Sequence, residues 1–155
     1  MRKIAFLVLT LVAIAIADEE EDITDLAEEY ETDEKTMRIC LDETEINRDE
    51  IDAGWKKWAE IINNGNFNEE AKQSVAKLNR FIACLLEQKN MMKNSKLVVS
   101  KILQEMVDHN KDKKMPSEQI ITECIIDLNK NDAMTKEDRV FGLLVCFVSN
   151  YGGKR

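Results

Sequence analysis

Apolar residues recur every three or four positions through most of the chain, and no run of strict apolar/polar alternation stands out. That period belongs to α-helices that bury one face. Ile51, Trp55, Trp58 and Ile62 step along such a face after a start near Arg48-Asp49-Glu50. Asn63-Asn64-Gly65-Asn66 breaks the helix, and Asn68 is placed to cap the next one ahead of Glu69-Glu70. That next helix carries Val75, Leu78, Ile82, Leu85 and Leu86. The chain turns after Lys89-Asn90, and Asn94-Ser95 reads as the opening of a helix with Leu97, Val98, Ile102, Leu103, Met106 and Val107 inward. Lys111 to Lys114 reads as a charged loop, and Pro116 suits a first helical turn. The helix that follows groups Ile120, Ile121, Cys124, Ile125 and Leu128. Thr135-Lys136-Glu137-Asp138 is close to a capping box, with Asp where Glu or Gln is usual. Beyond it, residues 140–148 are apolar on almost every side and are expected to form the central helix. Helices with short joins and no strands define an all-α domain.

The first seventeen residues follow a different pattern. Arg2 and Lys3 precede an apolar run from Ile4 to Ile16, and Ala15-Ile16-Ala17 has the small-x-small form of a signal-peptidase site. A run of that length is short for a membrane span, so a cleaved signal peptide over residues 1–17 is favoured over an anchor. The expected product is a secreted, extracellular chain beginning at Asp18, of 138 residues, enough for one domain. Removing the signal takes two of 22 basic residues and none of 30 acidic ones, leaving a net charge of −10. Such a surface repels nucleic acid and anionic membranes. Residues 18–33 hold ten carboxylates and no base, and read as a solvated N-terminal arm ahead of a domain spanning residues 34–155.

Four cysteines, Cys40, Cys84, Cys124 and Cys146, read as two disulfides in a secreted chain, and three pairings are open. Zinc would want close Cys-x-x-Cys pairs or histidines, and the chain has neither. Neither a metal nor any other cofactor is expected.

The segment Leu78-Asn79-Arg80-Phe81-Ile82-Ala83-Cys84-Leu85-Leu86-Glu87-Gln88-Lys89-Asn90-Met91-Met92 resembles the third-cysteine helix of the insect odorant-binding proteins. The gaps from Cys84 to Cys124 and from Cys124 to Cys146 fit that family, while the gap from Cys40 to Cys84 is about ten residues longer than its usual form. The extra length is assigned to residues 63–68. Family members carry six cysteines, and the two missing ones fall on Arg80 and Glu137. Those two slots are partners, as in the four-cysteine branch. The resemblance implies the pairs Cys40–Cys84 and Cys124–Cys146, and a compact bundle of about six helices, stapled by these two disulfides, around an apolar ligand cavity. Arg80 and Glu137 could form an ion pair in place of the lost bridge. The favoured alternative is two solvated helix residues, because exposed pairs contribute little.

The same resemblance implies a reversible carrier of small hydrophobic ligands such as odorants or pheromones, with a chemosensory receptor as a further partner. By that analogy Leu78, Ile82, Leu85, Leu103, Met106, Leu143, Leu144 and Phe147 line the cavity, and Tyr151 reaches it from a C-terminal lid. For any one of these residues, ordinary core is the competing reading. His109 is a candidate pH switch, with a plain surface histidine favoured by its polar neighbours. Monomer and homodimer remain open. Catalysis finds no poised set: one histidine, no activated serine, and every cysteine committed to a disulfide. An enzyme is not expected. Two rival readings are weaker. Gly153-Lys154-Arg155 resembles a prohormone processing signal, but the helical, cysteine-paired body does not suit a peptide precursor. A saposin-like membrane-disrupting bundle does not suit the acidic charge.

Overall fold

The computed structural model describes residues 22–109, of His109 the backbone alone, and residues 116–150. The expected signal peptide, Tyr151 and Gly153-Lys154-Arg155 lie outside the described residues, as does the His109 side chain. Eight helices and one two-residue-per-strand hairpin occur among the described residues. In order they are α1 (residues 22–29), α2 (Glu34–Thr44), α3 (Arg48–Asn64), α4 (Glu69–Ser74), α5 (Ala76–Gln88), β1 (Met92–Lys93), β2 (Lys96–Leu97), α6 (Val99–His109), α7 (Glu118–Lys130) and α8 (Lys136–Ser149). The domain is all-α, as the periodicity predicts, with eight helices where about six were expected.

The two additional helices have identifiable origins. Residues 22–29, within the stretch read as a solvated arm, are helical because Leu26 and Ala27 bury against the core while the carboxylates point outward. A Schellman cap ends this turn: Thr32 N–H donates to Ala27 O at 2.8 Å and Glu31 N–H to Glu28 O, with Glu31 left-handed at φ 54°. The second arises at Val75, where a single turn residue splits one expected helix into α4 and α5. Val75 is buried, so the kink brings an apolar side chain inward at the junction.

Most helix starts follow the cap residues. Asp33, Asn47, Asn68, Ser117 and Thr135 each accept a backbone N–H from their own first turn. Thr135 and Asp138 complete a reciprocal capping box even though Asp is short for that role. Pro116 lies before the Ser117 cap rather than within the first turn. Gly65 closes α3 in the left-handed conformation, φ 67°.

One expected start is wrong. Asn94 and Ser95 do not open a helix; both have positive φ, 53° and 66°, and form the two-residue turn of an antiparallel hairpin pairing Lys93 with Lys96. Two consecutive left-handed residues are the signature of a type I′ turn, which Asn accommodates. The helix begins four residues later, at Val99.

Two apolar cores form around α5. The first gathers Leu26, Met37, Cys40, Ile51, Trp58, Leu78, Phe81 and Phe141 among others, and the second Ala83, Met91, Met92, Ile102, Met106, Ile121, Ile125, Val140 and Leu143. On α3 the buried face runs through Ile51, Trp58 and Ile61, so Trp55 and Ile62 sit at its edge, 38% and 41% exposed. Trp58 stacks on Phe141 with ring centroids 5.0 Å apart. Disulfides join Cys40 of α2 to Cys84 of α5, Cα–Cα 5.6 Å, and Cys124 of α7 to Cys146 of α8, Cα–Cα 6.6 Å.

Candidate ligand-binding site

A cavity of about 240 Å³ lies between α5, α6 and α8. Ile82 and Leu86 come from α5, Met91 from the segment after it, Ile102 and Met106 from α6, and Val140, Leu143, Leu144 and Phe147 from α8. Glu31 and Glu105 are the charged residues at its edge. Every other lining side chain is apolar, which suits a ligand held by burial.

Local structure explains how these side chains converge. Ile82 and Leu86 are four apart on α5, and Val140, Leu143, Leu144 and Phe147 follow the three-and-four spacing of one face of α8. Met91 arrives by another route. Asn90 is left-handed, φ 64°, and Met91 N–H donates to Leu86 O at 2.8 Å, so the chain folds back and lays Met91 over Leu86.

The hairpin that follows Met91 is held by side chains of α7 and α8. Asn129 of α7 accepts from Leu97 N–H at 3.0 Å and donates to Leu97 O at 2.9 Å, acting as a third strand made of one side chain. Arg139 is 2% exposed and spends its guanidinium on backbone carbonyls: Leu128, Ser95, Met134 and Asn131. Two of these, Leu128 and Asn131, lie at the C-terminal end of α7, where orphan carbonyls concentrate negative charge. One buried side chain thus binds the hairpin, the end of α7 and the loop before α8 together.

The edge of the cavity is charged and braced. Lys89 donates to Tyr30 O at 3.2 Å and pairs with Glu105 at 3.6 Å, linking the α1–α2 turn to α6. Tyr30 sits edge-on to Phe81 and accepts Trp55 Nε1–H at 2.7 Å. Burial outweighs this hydrogen bond and raises the Tyr30 hydroxyl above the usual phenol range. Glu31 is therefore presented at the cavity edge by a turn anchored on both sides.

Of the residues expected to line a cavity, the structure brings Ile82, Met106, Leu143, Leu144 and Phe147 together around it. Leu78 and Leu85 bury instead in the first core, on the sector of α5 that adjoins Ile82. Leu103 packs against the second core and is not among the lining residues. Leu86, Met91, Ile102 and Val140 line the cavity and were not singled out for it. For Met91 a sequence signal existed: an Asn after the helix, with apolar residues at the two positions a Schellman cap brings together.

Arg80 and Glu137 meet. Arg80 Nε–H donates to Glu137 Oε2 at 2.9 Å, joining α5 to the first turn of α8. Burial alone would raise the Glu137 carboxyl, but its own backbone N–H, the Arg80 guanidinium and the Thr135 hydroxyl together hold it below the usual carboxylate range. Lys72–Asp138 and Lys136–Glu87 pairs, at 3.3 and 3.2 Å, tie the same turn to α4 and α5.

A larger cleft of about 440 Å³ lies among α1, α2 and the start of α3. Asp22, Arg38, Asp42, Glu45 and Arg48 contribute half its lining, so it suits an apolar ligand poorly.

A model of the PBP/GOBP family matches residues 24–150 of the chain. Comparison with curated proteins and with solved structures gave no match. The family match spans every described helix except the first two residues of α1, and its members are carriers rather than enzymes. With its helices, its two disulfides and this match, the chain belongs to the PBP/GOBP family, the insect pheromone-binding and general odorant-binding proteins.

Proposed function

We propose that the protein is a secreted carrier that takes up small hydrophobic molecules, odorants or pheromones among them, in the cavity between α5, α6 and α8. The carrying observation is the cavity lining: nine apolar side chains from three helices and the Met91 turn, with carboxylates at the edge alone. A chain of ten carbons gains roughly 8 kcal/mol on leaving water, at about 0.8 kcal/mol per methylene, less the cost of immobilising it. Micromolar affinity is therefore the upper limit for such a chain, reached as contacts with the cavity wall offset that cost. A volume of about 240 Å³ lies below the ~300–1,000 Å³ range of pockets for drug-sized ligands, which points to a small volatile rather than a bulky lipid. Leu78, Leu85 and Leu103 take no part in contact with ligand on this reading. Release to a chemosensory receptor, and the chain's state as monomer or homodimer, belong to the same proposal.

The test is displacement of a fluorescent apolar probe from the oxidised, signal-free protein by alcohols, esters, aldehydes and hydrocarbons of graded length. Probe uptake with micromolar displacement is the expected result. A folded, helical protein that takes up no probe would remove the carrier reading for these ligand classes.

A further inference from the structure

The two apolar cores meet across a partition formed by two side chains. Ile82 of α5 and Leu144 of α8 are half-buried, line the cavity, and pack against both cores. Asn79 of α5 is 0% exposed and touches Trp58 of the first core. Its Oδ1 accepts Trp58 Nε1–H at 3.3 Å. An indole N–H only donates, so this bond fixes the amide orientation and turns Nδ2 away from the indole nitrogen. Nδ2 has no hydrogen-bond partner among the described residues and no contact with solvent. A buried, unpaired amide donor is costly, and native structures hold few of them.

The place of Asn79 on α5 gives that donor a use. Asn79, Ile82 and Leu86 stand at i, i+3 and i+7, neighbouring positions on one helical face, and the last two are cavity walls. Asn79 therefore continues the cavity stripe by one turn, behind Ile82. Trp58, which donates to Asn79, stacks on Phe141 within the first core, and the two present aromatic rather than charged surface.

We propose that Asn79 Nδ2 is a concealed polar subsite of the ligand cavity, reached when Ile82 and Leu144 change rotamer, and that it selects apolar ligands carrying a carbonyl or ether oxygen over plain hydrocarbons. The subsite rests on the carrier reading above. Its ligand class follows from its chemistry. A single neutral donor in an apolar setting can hold an uncharged acceptor, whereas a carboxylate would lose far more on desolvation than one hydrogen bond returns. A site that buries a polar group discriminates against analogues that leave it unpaired.

The test compares a methyl ketone with the n-alkane of equal chain length, by probe displacement, in the wild-type protein and in Asn79→Leu. Leucine keeps the heavy-atom count and removes the donor. The expected result is a fall of about tenfold in the ketone-to-alkane affinity ratio, with alkane binding held or improved. An unchanged ratio overturns the subsite. Asn79→Leu also leaves the Trp58 indole unpaired and can fail to fold, so a second measurement uses the wild type alone. The infrared carbonyl band of the bound ketone should lie at lower wavenumber than in alkane solvent; a band at the solvent position overturns the proposal. If alkane and ketone both fail to displace the probe, the carrier reading itself falls and takes the subsite with it. Alkane binding with an unshifted ketone band sinks the subsite alone.

Discussion

Arg80 of α5 and Glu137 of α8 are joined at 2.9 Å, 57 positions apart in the chain. The pair connects the helices that supply six of the eleven residues around the cavity. Its side chains are 45% and 22% exposed, so solvent screens it, and a double-mutant cycle should give coupling below about 1 kcal/mol. The pH dependence has a definite sign. The folded Glu137 carboxyl lies below its unfolded value, so its contribution is present above the unfolded value and is lost as pH falls through the folded one. Chemical denaturation of Arg80→Ala, Glu137→Ala and the double variant at neutral and acid pH checks both points: coupling that persists in acid would contradict this account.

Arg139→Met should be far more damaging than any change at that surface pair. Methionine fits the apolar surroundings, but it abandons the carbonyls of Leu128, Ser95, Met134 and Asn131. Breaking a buried charged network from one side costs about 3–5 kcal/mol. Loss of stability in urea, with weakened probe uptake because the hairpin beside Met91 loosens, is the expected result. Stability within 1 kcal/mol of wild type, a magnitude typical of surface changes, would show the network to be dispensable.

Gly54→Ala and Gly142→Ala should differ although both lie in helices. A Cβ at Gly54 would meet Leu78 Cβ and Cδ2 at 2.9 Å, so the crowding involves the fixed stem of a buried side chain. At Gly142 the closest atom is Leu128 Cδ2, the far end of a side chain that can rotate. Alanine gains about 1 kcal/mol of helix propensity at each site, and overpacking costs about 1–3 kcal/mol. Thermal unfolding should therefore show Gly54→Ala destabilised and Gly142→Ala close to neutral.

Met106→Trp should block the cavity. Met106 is buried and lines it, so the indole occupies space meant for ligand. Apolar-probe affinity should fall at least tenfold with far-UV circular dichroism unchanged, while the same substitution at Ile39, exposed on α2, should leave binding as it was. Equal binding by wild type and Met106→Trp would place the ligand elsewhere.

The sequence by itself determined the helices and most of their beginnings. Caps and apolar periods act within three or four residues, so Asn68 and Thr135 mark starts that need no knowledge of the rest of the chain. Even there local signals can mislead: Asn94-Ser95 suits a cap and a type I′ turn alike, and the clamp from Asn129 and Arg139 favours the turn. Tertiary structure alone decided which side of α5 faces a cavity. Leu78, Ile82, Leu85 and Leu86 are all apolar and all on one helix, yet Leu78 and Leu85 bury in the first core, Leu86 lines the ligand space and Ile82 touches both. Hydrophobicity is non-directional, so an apolar period states that a face is buried and leaves open what covers it. The answer came from how α6 and α8 are placed around α5, and that placement depends on Arg139, two disulfides and ion pairs between residues tens of positions apart.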